Sequence, residues 1–347
     1  MSNHPQDVGT QLAAYLSGRW QKPVTCVSAA QIPGGASRET YRIRVNVDGT
    51  EQGLILRRDP PSSLIDTERA HEYQTYAAVH GTEIPVPEPL ILEEDEPGDL
   101  ARPFSIPREV AGCETSPANL AVPPWSEKRA EIGHEKWRLL GRLAAMDIDT
   151  LALDFMPRPS HPASHELKYW SDVIRKDALH PQPVAEAAIR WLERSLPAPS
   201  ERLCLVHGDY RSGNFLYTTD GEIKGVLDWE MAHIGDPLED LAWSMDPLWG
   251  LAEPGLAGYL LPRAEALEIW EQASGITVDR EAFRWWQVFA SVKALAIWVS
   301  SAEDYVNGTT KEPILALAGW PLIDRQTRIL LDRLQPDSPN LIAEPLL

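Results

Sequence analysis

The side chains best suited to chemistry lie in one stretch of this 347-residue chain, residues 203–243, LCLVHGDYRSGNFLYTTDGEIKGVLDWEMAHIGDPLEDLAW. Residues 203–206 are a short apolar run that predicts a buried strand, after which His207, Asp209 and Asn214 fall in a loop. A second strand is expected over 215–217, a turn at Asp220-Gly221, and a third strand over 223–227 that ends on Asp228. Such a hairpin carries Asp209 and Asn214 at one end and returns Asp228 to the same end. Phosphoryl transfer leaves a protein little covalent work: it needs a carboxylate to take the hydroxyl proton and oxygen ligands to hold Mg2+ against the phosphates of ATP. Asp209 suits the first role, and Asn214 and Asp228 suit the second, because a hard cation prefers carboxylate and amide oxygen.

The H-x-D-x(4)-N spacing from His207 to Asn214, followed by a strand ending in Asp228, resembles the catalytic loop and metal-binding aspartate of the kinase fold. More closely, HGDYRSGNFLY with LDWEMAHIGDPLEDLAW is similar to the aminoglycoside phosphotransferase and choline kinase family, over roughly residues 25–330. The resemblance implies an α+β, bilobal protein-kinase-like fold with a small β-rich N-lobe and a larger, mostly helical C-lobe. It also implies an ATP-dependent small-molecule kinase acting on a hydroxyl. Two alternatives stand beside it: a true aminoglycoside O-phosphotransferase, and a catalytically silent nucleotide-binding module, which would have no need to keep Asp209, Asn214 and Asp228 together. His207 reads as a backbone brace and not as a proton carrier. Seven residues separate Asp228 from Asp236, which leaves no room for a long activation loop, and no A-P-E motif follows; both argue against a protein kinase. Asp236 reads as an N-cap, Pro237 as the first helical position and Glu239 as the far side of a capping box, which makes Asp236 and Asp240 structural. Glu230 is left unassigned.

The elements that position these groups follow from periodicity. Strands are expected over 24–29 and 40–47, joined by a glycine-bearing turn. Alone, that turn reads equally as an ordinary hairpin; the string GGASRETY resembles the family's phosphate-covering loop and gives Gly34, Gly35, Ala36 and Ser37 a nucleotide-binding role. In the strand over 53–58, Ile55 and Arg57 share one face and Leu54, Leu56 and Arg58 the other. By resemblance Arg57 stands at the place of the phosphate-binding lysine, and Arg58 reads as a solvated edge-strand residue. A helix over 67–80 offers Glu72 as the implied ion-pair partner of Arg57, with Glu68 the competing choice one turn earlier. The run 104–110 predicts a strand entering the hinge, where the resemblance implies adenine contacts at Arg108 and Val110. Pro107 removes one amide donor there. The expected division is 1–110, the nucleotide-binding lobe, and 111–347, the catalytic and acceptor-binding lobe.

The C-lobe reads as helices over 137–146, 166–177, 184–195, 262–274, 280–301 and 324–334. Lys293, within the apolar stripe of 280–301, reads as a snorkelling surface lysine. With 43% apolar and 24% charged residues the composition is that of a globular protein, and a net charge of −19 disfavours nucleic acid and anionic membrane as partners. Residues 1–100 carry 8 basic and 15 acidic side chains, −7 of the −19, so the acidity marks neither lobe as a trap for cations. Cys26, Cys113 and Cys204 are scattered, which suggests neither a disulfide framework nor a zinc site. The first residues lack the basic start and apolar core of a signal peptide, and no apolar run approaches membrane-spanning length, so the expected compartment is the cytoplasm. The oligomeric state is not legible. A polycationic antibiotic would call for clustered carboxylates. The tryptophan-rich C-lobe instead suggests, as acceptor, a neutral or anionic alcohol with an apolar body, such as a hydroxyacyl thioester.

Overall fold

The protein is described from a computed structural model covering residues 4–32, 39–58, 67–95, 100, 102–250, 253, 255–309 and 313–335. The chain divides into two compact units, residues 1–113 with 224–230, and residues 114–223 with 231–347. The expected single boundary near residue 110 is thus joined by a second crossing, because the segment ending in Glu230 belongs to the first unit.

The first unit is a five-stranded antiparallel sheet in the order β1-β2-β3-β5-β4, formed by β1 (Val24–Ile32), β2 (Glu39–Val47), β3 (Thr50–Arg58), β4 (Pro89–Glu93) and β5 (Phe104–Pro107). Alternation puts Tyr41, Ile43 and Val45 of β2 and Leu54 and Leu56 of β3 on one buried face. Helix α1 (Pro5–Trp20) covers that face with Val8, Leu12 and Leu16, one turn apart along a single stripe. Each such aliphatic side chain withdrawn from water contributes about 1.5–3 kcal/mol. Helix α2 (Thr67–Val79) follows β3. Arg58 corrects its expected role: it lies on the Leu54–Leu56 face, 3% exposed, and pairs with Glu39 at 2.8 Å. The strand expected to reach residue 110 stops at Pro107, which has no N–H for the ladder, and Arg108 adds only an isolated bridge to Leu54.

The second unit is mainly helical: α3 (Arg129–Ala145), α4 (Pro162–Asp177), α5 (Pro183–Arg194), α6 (Pro237–Ser244), α7 (Arg263–Ser274), α8 (Arg280–Val306) and α9 (Pro313–Arg333). Short strands β6 (Cys204–Val206) and β9 (His233–Gly235) pair antiparallel, β7 (Phe215–Tyr217) follows the loop that carries Asp209, and β10 (Leu256–Ala257) pairs with β11 (Leu261–Pro262); β8 (Ile223–Val226), next along the chain after β7, lies where the chain crosses back into the first unit. Helix α8 is buried on every face from Trp285 to Ala296, with Trp285, Trp286 and Phe289 in ring contact. Its Lys293 is also buried, 1% exposed, and therefore does not snorkel. Helix α9 begins well before the expected residue 324 and carries Pro321 in its interior, the residue that masked its first half in the sequence. None of the described helices is long and apolar enough to cross a membrane.

Candidate active site

In the second unit, β6 hands the chain to the loop that carries Asp209. The turn requires Gly208 at φ 84°, where a side-chain carbon would run into the Met231 carbonyl. The loop is clamped from both sides of that glycine. Asp240 of α6 accepts the backbone N–H groups of His207 at 2.6 Å and Gly208 at 3.0 Å. His207, fully buried, accepts the Asp209 N–H on Nδ1 at 3.1 Å and stands edge-on to Tyr210. Using Nδ1 as an acceptor puts the ring proton on Nε2, so His207 acts as a brace.

The Asp209 carboxylate is held at both oxygens. Oδ1 accepts the Trp243 indole N–H at 3.0 Å, and Oδ2 accepts Asn214 Nδ2 at 2.8 Å and Arg211 Nε at 3.0 Å. Asn214 Nδ2 also reaches the Asp209 carbonyl at 2.9 Å. With its nitrogen committed to two acceptors, the Asn214 side chain turns its oxygen elsewhere. Trp249 packs on Trp243, with ring centroids 5.2 Å apart, and beneath the Arg211 guanidinium at 5.6 Å. Asp209 and Asn214, expected to converge from the sequence, are therefore in direct contact.

The first unit holds Asp228. It sits just beyond β8 at φ 70°, a left-handed conformation that aspartate tolerates better than most residues. Its N–H donates to the Tyr76 hydroxyl at 3.0 Å, and its Oδ1 lies 3.9 Å from Arg57 Nη2. β8 is tied down nearby, with the Val226 N–H on the Pro85 carbonyl at 2.7 Å. Arg57 is hydrogen-bonded to the buried Glu72 of α2, the partner expected from register. Burial alone would pull the Arg57 guanidinium down; the charges of Glu72, Tyr76 and Asp228 outweigh it and leave Arg57 above its ordinary range, permanently cationic. Arg108 spends its amide on the Glu88 carbonyl at 2.8 Å and its Nε on the Glu88 carboxylate at 2.6 Å. Val110 is half-buried. Gly34, Gly35, Ala36 and Ser37 lie outside the described residues, as does the side chain of Glu68.

Helix α6 departs from its expected wiring in one respect. Asp236 does cap it, accepting the Leu238 N–H at 2.8 Å, with Pro237 in the first turn. Glu239, however, does not close a capping box: it is buried and binds Lys293 Nζ at 3.0 Å and His233 Nε2 at 3.0 Å. Glu166 of α4 stands 3.8 Å from the same His233 nitrogen. Burial opposes protonation of His233, but the Glu239 and Glu166 charges prevail and raise it to about 9. Glu166, His233 and Glu239 bring ligand atoms within 4.8 Å of one another, yet Lys293 and the protonated imidazole already balance the two carboxylates.

A sequence model of the phosphotransferase enzyme family matches residues 28–286, most of the chain. The chain belongs to this family. Relatives by sequence include acyl-CoA dehydrogenase family member 10 of Mus musculus, 29% identical over 245 residues covering 69% of this chain and 22% of that protein. Family member 11 of Rattus norvegicus is 28% identical over 249 residues, 67% of this chain and 29% of the other. The chain thus spans less than a third of the length of either. A solved structure of a candidate aminoglycoside phosphotransferase from Ralstonia eutropha matches with a TM-score of 0.75 at 21% identity, covering 93% of this chain and 97% of that one. A choline/ethanolamine kinase family protein from Mesorhizobium loti matches with a TM-score of 0.55 at 15% identity, covering 90% of each. These structures share the bilobal α+β phosphotransferase fold.

At this site, sequence reasoning overlooked Trp243 and Arg211. The signal for Trp243 was its place one turn after Asp240 on the helix that clamps the loop, and for Arg211 its place two residues beyond Asp209.

Proposed function

We propose that this phosphotransferase moves the γ-phosphoryl group of Mg-ATP to the hydroxyl of a small-molecule alcohol. The observation that carries the reading is the Asp209 carboxylate, fixed at both oxygens on a loop whose backbone is itself clamped. A carboxylate ordered before substrate arrives can orient a hydroxyl and receive its proton without reorganising during the reaction. The acceptor oxygen bonds to the γ-phosphorus as the bond to the β-bridging oxygen breaks, giving the phosphorylated alcohol and ADP, with the hydroxyl proton passing to Asp209.

The donor set fits magnesium. Asn214 offers an amide oxygen because its nitrogen is committed, and Asp228 offers a carboxylate, both hard ligands. In this reading these two hold the ion, which when bound offsets charge developing on the transferred group. Arg57, seated by Glu72, takes the α and β phosphates, and the Arg108 carbonyl, whose amide is already committed to Glu88, serves adenine together with the Val110 backbone.

The favoured acceptor is a neutral or anionic alcohol with an apolar body, a hydroxyacyl thioester foremost. An aminoglycoside is a polycation and needs carboxylates that face it. Around Asp209 stand Trp243, Trp249 and Arg211, while the carboxylates of Glu239 and Asp240 are committed to internal bonds. The relatives named as acyl-CoA dehydrogenases lean the same way, since such enzymes act on acyl thioesters. A coupled ADP-release screen across aminoglycosides, choline-like amines, sugars and hydroxyacyl thioesters tests the assignment. ADP release with a 4-hydroxyacyl thioester and none with kanamycin is expected; the reverse overturns the acceptor class.

A further inference from the structure

We propose that Lys136 of α3 is a positioning residue for the catalytic loop, its amine forming the floor under residues 209–215 and holding the loop in place in the neutral form while loosening it in the charged form. The inference rests on the proposed function only in that the residues above this floor are taken as catalytic.

The Lys136 side chain is 1% exposed, and among the described residues no acceptor lies within hydrogen-bond reach of its Nζ. Three aromatic rings enclose it instead, Trp137 at 4.0 Å, Tyr210 at 5.3 Å and Phe215 at 5.8 Å from Nζ. Two of those rings belong to the loop: Tyr210 directly follows Asp209, and Phe215 directly follows Asn214. The loop is also stitched to the same floor by hydrogen bonds. The Tyr210 hydroxyl donates to the Lys136 carbonyl at 2.9 Å, and Ser212 Oγ donates to the Gly258 carbonyl at 2.6 Å. Gly258 faces the amine so closely that a side-chain carbon there would stand 3.2 Å from Nζ. What space remains is a small cavity walled by Leu120, Ile132, Leu260 and the loop's Ser212 and Phe215, and it offers the amine almost nothing polar.

An ammonium in such a place has lost its hydration without gaining a partner, a cost that the ring faces offset only in part. A neutral amine loses far less. Burial accordingly pulls Lys136 down to about 7, with Asp240 of α6 the charge that opposes the fall. That carboxylate is turned towards the His207 and Gly208 N–H groups and forms no ion pair with Lys136. Asp240 is itself pushed up by burial to about 6, so it is ionised over most of the range in which Lys136 titrates, and Tyr210 and Tyr217 are raised by burial and uncharged there. Glu135 and Arg138 of α3 pair with each other on its outer side. When the amine takes up a proton, the ammonium must find water or an acceptor, and the nearest movable wall is the loop itself.

The test uses the full-length protein with its lysines labelled at Cε. Of the eight lysines in the chain, the other buried one described, Lys293, moves upward and away from neutrality. One resonance titrating near pH 7 is therefore expected in the wild-type protein, and it should be missing from Lys136→Met. Amide exchange of residues 210–215, whose N–H groups Asp240 does not bind, corrected for intrinsic rates, should slow by about tenfold between pH 6 and pH 8 in the wild type and by much less in Lys136→Met. Where turnover is measured, kcat should rise across the same range in the wild type alone, with KM for Mg-ATP unchanged. A lysine spectrum in which every resonance titrates near its ordinary value of about 10.4 overturns the proposal without needing the variant to fold. Equal pH dependence of loop exchange in wild type and Lys136→Met overturns it as well. Because the spectrum and the exchange are read without substrate, a chain that shows both effects but no phosphoryl transfer would refute the proposed function and leave this inference standing.

Discussion

Trp243 donates its indole N–H to Oδ1 of Asp209 at 3.0 Å, so the helix that clamps the backbone of the Asp209 loop also sets its carboxylate. Asp240, one turn earlier on α6, holds the His207 and Gly208 amides, and Asp236 caps the same helix. The string GDPLEDLAW is thus a single device for orienting Asp209.

Trp243→Phe keeps the ring packing and deletes that one donor. A hydrogen bond to a charged group contributes about 1.5–3 kcal/mol, so kcat should fall by about 10- to 100-fold, with KM for Mg-ATP within a few-fold. Steady-state ADP release measures both. An unchanged kcat would remove Trp243 from the site.

Protonated His233, sandwiched by Glu239 and Glu166, makes stability depend on pH in a definite direction. Burial works against the imidazolium, the two carboxylates win, and the folded value of about 9 exceeds the unfolded value of about 6.5. The contribution is therefore complete below about pH 6.5 and is lost as pH rises through about 9. Lys136 acts in the opposite sense, because its folded value of about 7 lies below the unfolded one of about 10.4, so its penalty fades as pH rises. His233→Asn should be less stable than the wild type by about 2 kcal/mol at pH 6, the difference shrinking towards pH 10. Thermal melts of both proteins across that range check the sign.

A second buried network anchors the C-terminal helix. Asp246 accepts Arg333 Nη1 at 2.7 Å, Ser291 Oγ at 3.1 Å and Gln326 Nε2 at 3.1 Å, with Arg333 fully buried. Asp246→Asn strands the guanidinium and should cost about 3–5 kcal/mol by chemical denaturation. Asp246→Asn with Arg333→Met should recover part of the loss, since the stranded Arg333 guanidinium, and its repulsion of the nearby Arg263, are then removed. A double variant no more stable than Asp246→Asn would argue that the pair acts only through shape.

Asp228→Ala tests the proposed ion ligand. Nucleotide binding measured by calorimetry should weaken by at least about tenfold in magnesium and much less in EDTA, because the carboxylate acts through the cation. Equal losses in both buffers would point to the left-handed turn at Asp228, or its Tyr76 and Arg57 contacts, as the real role.

How much of this was legible beforehand depended on the range of the interaction. The strands β1 to β3, the helix with Glu72 and the Asp236 cap follow from alternation, helical spacing and local hydrogen bonding, and the sequence carries all three. The contacts that sequence periodicity missed are side-chain bonds between distant segments. Lys293 and Arg58 both read as solvated cations because a charge in an apolar stripe is usually at the surface. Each is buried instead, on Glu239 and Glu39 respectively, partners 54 and 19 residues away. Lys136 stood one residue ahead of the helix expected over 137–146 and went unremarked for the same reason: nothing local announces that the loop's Tyr210 and Phe215 close over it.

Acceptor-dependent ADP release by Asp209→Asn, alongside the affinity of the same preparation for Mg-ATP, bears most directly on the central claim. The amide keeps the size of the carboxylate and loses its ability to take a proton. Turnover should drop by about 10³-fold or more while Mg-ATP binding stays within a few-fold of wild type. Turnover within about tenfold of wild type in a clean preparation would contradict the assignment of Asp209 as the catalytic base.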